Sequence, residues 1–473
     1  MSLTGTPFLL TAIALCAVAL VLPLVLWSRV RGPAPVRGAA RLLMLLFAQG
    51  TAISLVFVLV NNANSLYDDW ADLLGTGDHV QQAVDLGSDG TGGIALERLP
   101  KVRQTFRQAD GPRMRRAGGV RVTELRGRVS GVNAEVYVWL PPQYDEPAYR
   151  HRRFPVVELL PGHPGSAKAW FGSLKVHEQL LPMMRDGRVA PFILVAPRTN
   201  LLARADTGCA NIPGTVNAES WLSIDVPRMV TDNFRAVAAP DGWATAGYSA
   251  GAHCATKLAV AHPDRYRAAV SMSGYNDPKG ERSSLAGRNP DLRRRNNPYL
   301  MLRADRVPPR IALYFSGESG DGYQAGAAIQ TIARPPTSVD VVLLPRSAGG
   351  HDMGLWRPQL PEVFLWLTQR FDTGTAGTGS TAGTADLADP TGTSALVDTA
   401  DPANTVDPAS TAKTAGPAAL SGAAGTGSPD GTPGSDGAGR VRGSLPPSPS
   451  SGGSTRAEPA SGSASRTDAA RRP

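Results

Sequence analysis

Three cysteines in 473 residues are too few to staple a chain of this length, so any folded domain must be held by a hydrophobic core. None of them falls in a C-x-x-C pair or a His/Cys cluster, and no metal site is expected. No G-x-G-x-x-G follows the first parallel-strand pattern, so no dinucleotide, and no other cofactor, is expected. The net charge of +8 is diffuse, with arginine well ahead of lysine. No basic stripe with interleaved aromatics occurs, which argues against nucleic-acid binding. No aromatic follows Phe371, and residues 373–473 are mostly Thr, Ala, Gly, Ser, Pro and Asp. Such a composition cannot bury enough apolar surface to order itself, and a disordered low-complexity tail is expected there.

Lysine and arginine are also absent between Arg41 and Arg98, and this gap bears on topology. Phe8–Trp27 and Leu42–Val60 carry no charge and approach the ~20 apolar residues that a bilayer crossing needs. Between them lie Arg29, Arg31, Arg37 and Arg41, while Asp68, Asp69 and Asp72 follow the second run. The positive-inside rule then puts the connecting loop in the cytoplasm and both flanks outside. A cleaved signal peptide would carry a basic segment ahead of its apolar run, and no basic residue precedes Phe8. Residues 1–62 are therefore expected as a two-span hairpin in the cell membrane. Residues 63–100 are expected as a linker with one interfacial helix, Tyr67 and Trp70 lying at the outer interface. Residues 101–372 are expected as an extracytoplasmic domain.

Within that domain the pattern is β–α. Val120–Leu125 and Ala134–Leu140 alternate and suggest an antiparallel pair joined near Ser130-Gly131. Phe154–Leu160, Phe192–Ala196, Ala268–Met272, Ile311–Phe315 and Val339–Leu344 are short buried-strand runs. Helical stretches are expected at Val176–Arg185, with Pro182 a candidate early stop, at Asp225–Val237, and at Leu360–Phe371. Short apolar strands alternating with helices predict an α/β fold, a mainly parallel sheet flanked by helices. The arginine-rich stretch Asp277–Arg306 is long for a connection, and reads equally as a lid over a site or as a solvated insertion.

The chain is organised around Trp243–Ala261, whose centre is Gly247-Tyr248-Ser249-Ala250-Gly251. A strand-like run precedes this G-x-S-x-G and a helix-like run follows it, the context of a nucleophile elbow. A serine on so tight a turn takes strained backbone angles, and glycines on either side leave it room. A serine hydroxyl needs a base. Of seven histidines, only His351 follows the last strand, where this order of serine, acid and histidine requires it. The acid should follow the penultimate strand, where Glu318 and Asp321 are both candidates. Asp321 is preferred because it lies at the far end of the turn. Two backbone N–H groups should stabilise an oxyanion: that of Ala250, and that of His163 in the loop after the third strand, since Pro164 has none. In an extracytoplasmic domain, Cys209 and Cys254 are expected to bridge, tying a long loop to the helix behind Ser249.

The segments VYVWLPPQY (Val136–Tyr144), VVELLPGHPGS (Val156–Ser166), WATAGYSAGAHCA (Trp243–Ala255) and AGGHDMGLW (Ala348–Trp356) together resemble the esterase branch of the α/β-hydrolases. That branch includes S-formylglutathione hydrolases, feruloyl esterases and mycolyltransferases. The resemblance covers roughly Val120–Phe371 and implies a serine esterase whose roles fall on Ser249, His351 and Asp321 or Glu318. The substrate it implies is a small-molecule or lipid ester. Acyl transfer to an envelope sugar or lipid uses the same triad and stands as the alternative, with a non-catalytic envelope scaffold as a third reading. Oligomeric state is not legible.

Overall fold

The computed structural model describes residues 3–375 apart from 68, 75, 78, 82, 203, 204, 239 and 347–349, with side chains to Phe371. The tail expected over 373–473 therefore lies, beyond Thr375, outside the described residues. Two apolar helices open the chain, α1 (Thr6–Leu26) and α2 (Ala34–Asn64), and pack against each other. Both are long and apolar enough to cross a membrane, and most of their apolar side chains face outward. The second runs past its apolar run at both ends, so polar Asn61–Asn64 form its last turn.

Residues 63–100 do not hang free. A short helix, α3 (Trp70–Leu74), follows the hairpin. Farther on, Val80 bridges to Val132, and Leu86 is buried against Val129 and Ile224. An apolar side chain removed from water there contributes about 1.5–3 kcal/mol. The stretch thus packs as part of the folded domain.

Among the described residues the main sheet has nine strands. They are β1 (Arg107–Gln108), β2 (Arg121–Arg126), β3 (Asn133–Trp139), β4 (Val156–Leu160), β5 (Ile193–Pro197), β6 (Trp243–Tyr248), β7 (Ala268–Met272), β8 (Ala312–Gly317) and β9 (Ser338–Leu343). Their spatial order is β1-β2-β3-β5-β4-β6-β7-β8-β9. The first three strands and the β3–β5 pairing are antiparallel, and from β5 to β9 the strands run parallel. Strands β4 to β7 are buried on both faces, which explains their continuous apolar runs.

Helices cover both faces. Helix α4 (Val176–Arg185) continues through Pro182 because Leu180, Met183 and Met184 are buried against the core. Helix α5 (Val226–Asn233) is shorter than the expected Asp225–Val237. A wider turn at Trp221–Asp225 precedes it. Beyond it the chain goes extended, where the Phe154 N–H donates to the Arg235 carbonyl at 2.7 Å and the Val237 N–H to the Phe154 carbonyl at 2.9 Å. Helix α6 (Ala250–Ala261) is rich in Ala, with Gly251, Cys254 and Thr256 besides, and its small side chains let it sit close over the sheet, buried from Ala250 to Val260. The Thr245 hydroxyl donates to its Ala255 carbonyl at 2.9 Å. Helices α7 (Tyr323–Ile332) and α8 (Leu360–Thr375) complete the layers.

Candidate active site

Ser249 stands between β6 and α6, at the middle of the sheet's carboxyl edge. Its φ of 56° and ψ of −126° are sparsely populated for a residue with a Cβ. The surroundings hold this geometry. The Ser249 N–H donates to the Met272 carbonyl at 3.0 Å, and its own carbonyl accepts from Ala252 and His253 at 3.0 and 3.2 Å. A Cβ on Gly247 would collide with the Gly251 carbonyl, and one on Gly251 with the Leu160 carbonyl. The two glycines are therefore required by the close approach of helix and strands.

Turns after β8 and β9 bring two more side chains to the same edge. The Ser249 hydroxyl donates to His351 Nε2 at 2.8 Å. His351 Nδ1 donates to Asp321 Oδ1 at 2.9 Å and lies 3.1 Å from Oδ2. A carboxylate can only accept, so this contact fixes the tautomer that leaves Nε2 free to take a proton. Asp321 closes a turn that starts at Glu318, its N–H donating to the Glu318 carbonyl at 2.9 Å. That turn carries Asp321 to the histidine and leaves Glu318 buried at the strand end. Trp356 lies beside this group, its indole stacked on Tyr248 with centroids 4.5 Å apart. Its Nε1 donates to Ser273 Oγ at 3.1 Å.

The loop after β4 closes over the elbow. A Cβ on Gly162 would lie 3.0 Å from the Ser249 Cβ, so the backbone of the next residue, His163, passes close to Ser249. Ala250 is the first residue of α6, and its N–H has no acceptor within that helix. Asn200, just past β5, holds the loop from behind. Its side chain meets His163 Nδ1 at 2.8 Å and donates to the Gly165 carbonyl. Two residues earlier Arg198 is nearly buried between Glu135 and Asp72. Burial works against its charge, but the two carboxylates outweigh that and raise its pKa above the ordinary value. The sequence does not single out Arg198 and Asn200, which lie in no recognisable motif; Asp72 enters its reading only as a charge flanking the second apolar run, and Trp356 only as the last residue of the AGGHDMGLW segment.

The remaining histidines sit elsewhere. His253 is buried in α6 with Nδ1 facing the Tyr275 carbonyl at 2.9 Å, and burial pushes its pKa down to about 4. His177 is buried and likewise lowered by burial. His262 contacts Glu219 at 2.9 Å, and His151 accepts from Arg150. His79 lies 4.0 Å from Asp72. Cys209 and Cys254 are joined as a disulfide, with Cα atoms 5.3 Å apart. Trp170 and Trp221 are core side chains. The stretch 277–306 folds into short helices. Its Arg294 and Arg295 line a cavity of about 870 Å³ with Lys257 and His262, at the opposite end of α6 from Ser249. Among the described residues no group of three or more His, Cys, Asp or Glu is placed to hold a metal ion.

Residues 129–367 match the model of the Esterase family, described as "Putative esterase". An uncharacterised protein of Corynebacterium glutamicum is 28% identical over 262 residues, covering 51% of this chain and 58% of that protein's length. Among solved structures, a ferulic acid esterase aligns with a TM-score of 0.43 at 18% identity, covering 53% of this chain and 98% of its own. An S-formylglutathione hydrolase from Agrobacterium tumefaciens aligns with a TM-score of 0.44 at 14% identity, covering 57% of this chain and 100% of its own.

Proposed function

Because this chain belongs to the Esterase family, we propose that it is a serine ester hydrolase, anchored in the membrane by its N-terminal hairpin with the catalytic domain outside the cytoplasm. The observation that carries the reading is the 2.8 Å contact of Ser249 Oγ with His351 Nε2, on a serine held at φ 56°. Ser249 attacks the ester carbonyl while Nε2 takes its proton. Asp321 holds the tautomer and stabilises the imidazolium. The oxyanion develops against the N–H groups of Ala250 and His163. His351 then returns its proton to the leaving alcohol, which departs and leaves an acyl-serine. Water, deprotonated by the same imidazole, attacks this ester and frees the acid. Four arginines between the two apolar helices support the orientation, as does a disulfide, which persists outside the cytoplasm.

The test is labelling of the full-length protein in membranes by a fluorophosphonate probe. Wild type should label and Ser249→Ala should not. A folded wild type that fails to label refutes the proposal.

A further inference from the structure

The polypeptide leaves α2 directly onto the loop beside Ser249. Ser65 ends that helix in a left-handed turn with φ 53°. The turn is clasped by Asn61, whose side chain donates to the Tyr67 carbonyl at 3.0 Å and accepts from the Tyr67 N–H at 2.8 Å. From this clasp Ser65 reaches the catalytic domain twice. Its carbonyl accepts from the Ser166 N–H at 3.1 Å, and its hydroxyl lies 2.9 Å from that of Ser173. Leu66 and Tyr67 then border a cavity of about 30 Å³ whose other wall includes His163, Pro164 and Gly165.

A second tie runs through charge. Asp72, in α3, accepts from Arg198 Nη1 at 2.8 Å and Nη2 at 3.3 Å. Arg198 also donates through Nε to both oxygens of Glu135 at 2.8 Å. Two residues on, Asn200 holds His163 and Gly165. The segment 198–200 thus grips the membrane-exit segment with one side chain and the loop over Ser249 with another. The path is short. Ser166 bonds the helix end, Gly162 lies so near Ser249 that a Cβ on it would come within 3.0 Å of the Ser249 Cβ, and four residues span at most about 14 Å.

We propose that Asp72 is a positioning residue, which through Arg198 and Asn200 fixes the oxyanion loop Gly162–Ser166, and that the membrane hairpin is thereby a working part of the active site and not only a tether. The inference rests on the serine-hydrolase reading above for its catalytic consequence. An N–H aimed at the oxyanion acts on the transition state more than on the bound substrate. Loosening it therefore lowers kcat and leaves KM nearly unchanged, and a misplacement of ~1 Å is enough for a large rate loss.

The experiment compares wild type, Asp72→Asn, Asp72→Glu and Ser65→Gly, as full-length proteins in lipid nanodiscs. Two readouts are taken, hydrolysis of a short-chain p-nitrophenyl ester and backbone hydrogen exchange over residues 161–168. Asp72→Asn should lower kcat about tenfold with KM within twofold, and exchange over 161–168 should accelerate. Asp72→Glu should restore part of both. Ser65→Gly, which keeps the left-handed turn and loses only the hydroxyl contact, should show a smaller change of the same kind. Unchanged exchange in Asp72→Asn overturns the proposal, as does a loss of kcat and KM together with a lowered melting temperature. A wild type without hydrolysis would instead count against the serine-hydrolase reading, and the exchange measurement would still decide whether Asp72 holds the loop.

Discussion

Trp356 stands edge-on to His351, with ring centroids 4.9 Å apart and planes at 87°. It is itself held by stacking on Tyr248, the residue just before Ser249. His351 and the turn at Ser249 thus share one aromatic support. Trp356→Phe should keep the ring contact and lose the bond to Ser273, lowering kcat by less than about tenfold. Trp356→Ala should cost about 3–5 kcal/mol of stability and lower kcat further. Thermal unfolding and ester hydrolysis of the two variants, side by side, check this.

The two carboxylates of the turn after β8 can be separated by amidation. Asp321→Asn removes the acceptor that fixes the His351 tautomer, and a loss of order 10⁴ in kcat is expected from that type of change. Glu318→Gln should cost far less, because Glu318 is the start of the turn and not its tip. Equal losses in the two variants would show that Asp321 has no special role.

Reduction of the Cys209–Cys254 bridge should destabilise the domain. The bridge closes 45 residues of chain, for which loop entropy gives about 4 kcal/mol. The double variant Cys209→Ala/Cys254→Ala should unfold at lower temperature than wild type, and dithiothreitol should bring wild type down to meet it. A wild type indifferent to reductant would contradict the expectation.

Glu158 gives stability a pH dependence. It is fully buried in the middle of β4, where burial pushes its carboxyl up to about 8, against the opposing effect of the Tyr266 hydroxyl that donates to it at 2.8 Å. The native state then keeps a proton that the unfolded chain releases at its ordinary carboxylate value. Stability contributed by this group is present in full below pH 4.5 and is lost as pH rises toward 8. Above that it falls no further. Glu158→Gln, which resembles the protonated acid, should flatten the decline. Melting temperatures of both proteins across pH 5 to 9, in detergent, test the sign. A wild type that gains stability over this window would refute the assignment.

Much of this arrangement is legible in the sequence, for identifiable reasons. The strand runs from Val156 to Gly317 read as strands because burial on both faces leaves an unbroken apolar record; the last, expected as a buried run, is instead the half-exposed edge strand Ser338–Leu343. The elbow read as an elbow because strain at Ser249 demands glycine at 247 and 251, which is a constraint on neighbouring residues. Helix α5 was overextended because nothing local marks the point where Phe234 turns toward the sheet edge. Residues 63–100 read as a linker because their contacts, such as Leu86 on Val129 and Ile224, are made with distant partners.

The sequence by itself determined the fold class, the elbow and the order in which serine, acid and histidine follow one another, since hydrophobic period, backbone strain and chain order are local properties. Only the tertiary structure decided that Asp321 and not Glu318 meets His351, that Trp356 backs the imidazole, and that Asp72 meets Arg198 across 126 residues. Each of these depends on where a turn aims a side chain after the whole sheet has formed. A carboxylate beside a glycine reads the same in sequence whichever way its turn points, and packing and hydrogen bonding select one direction.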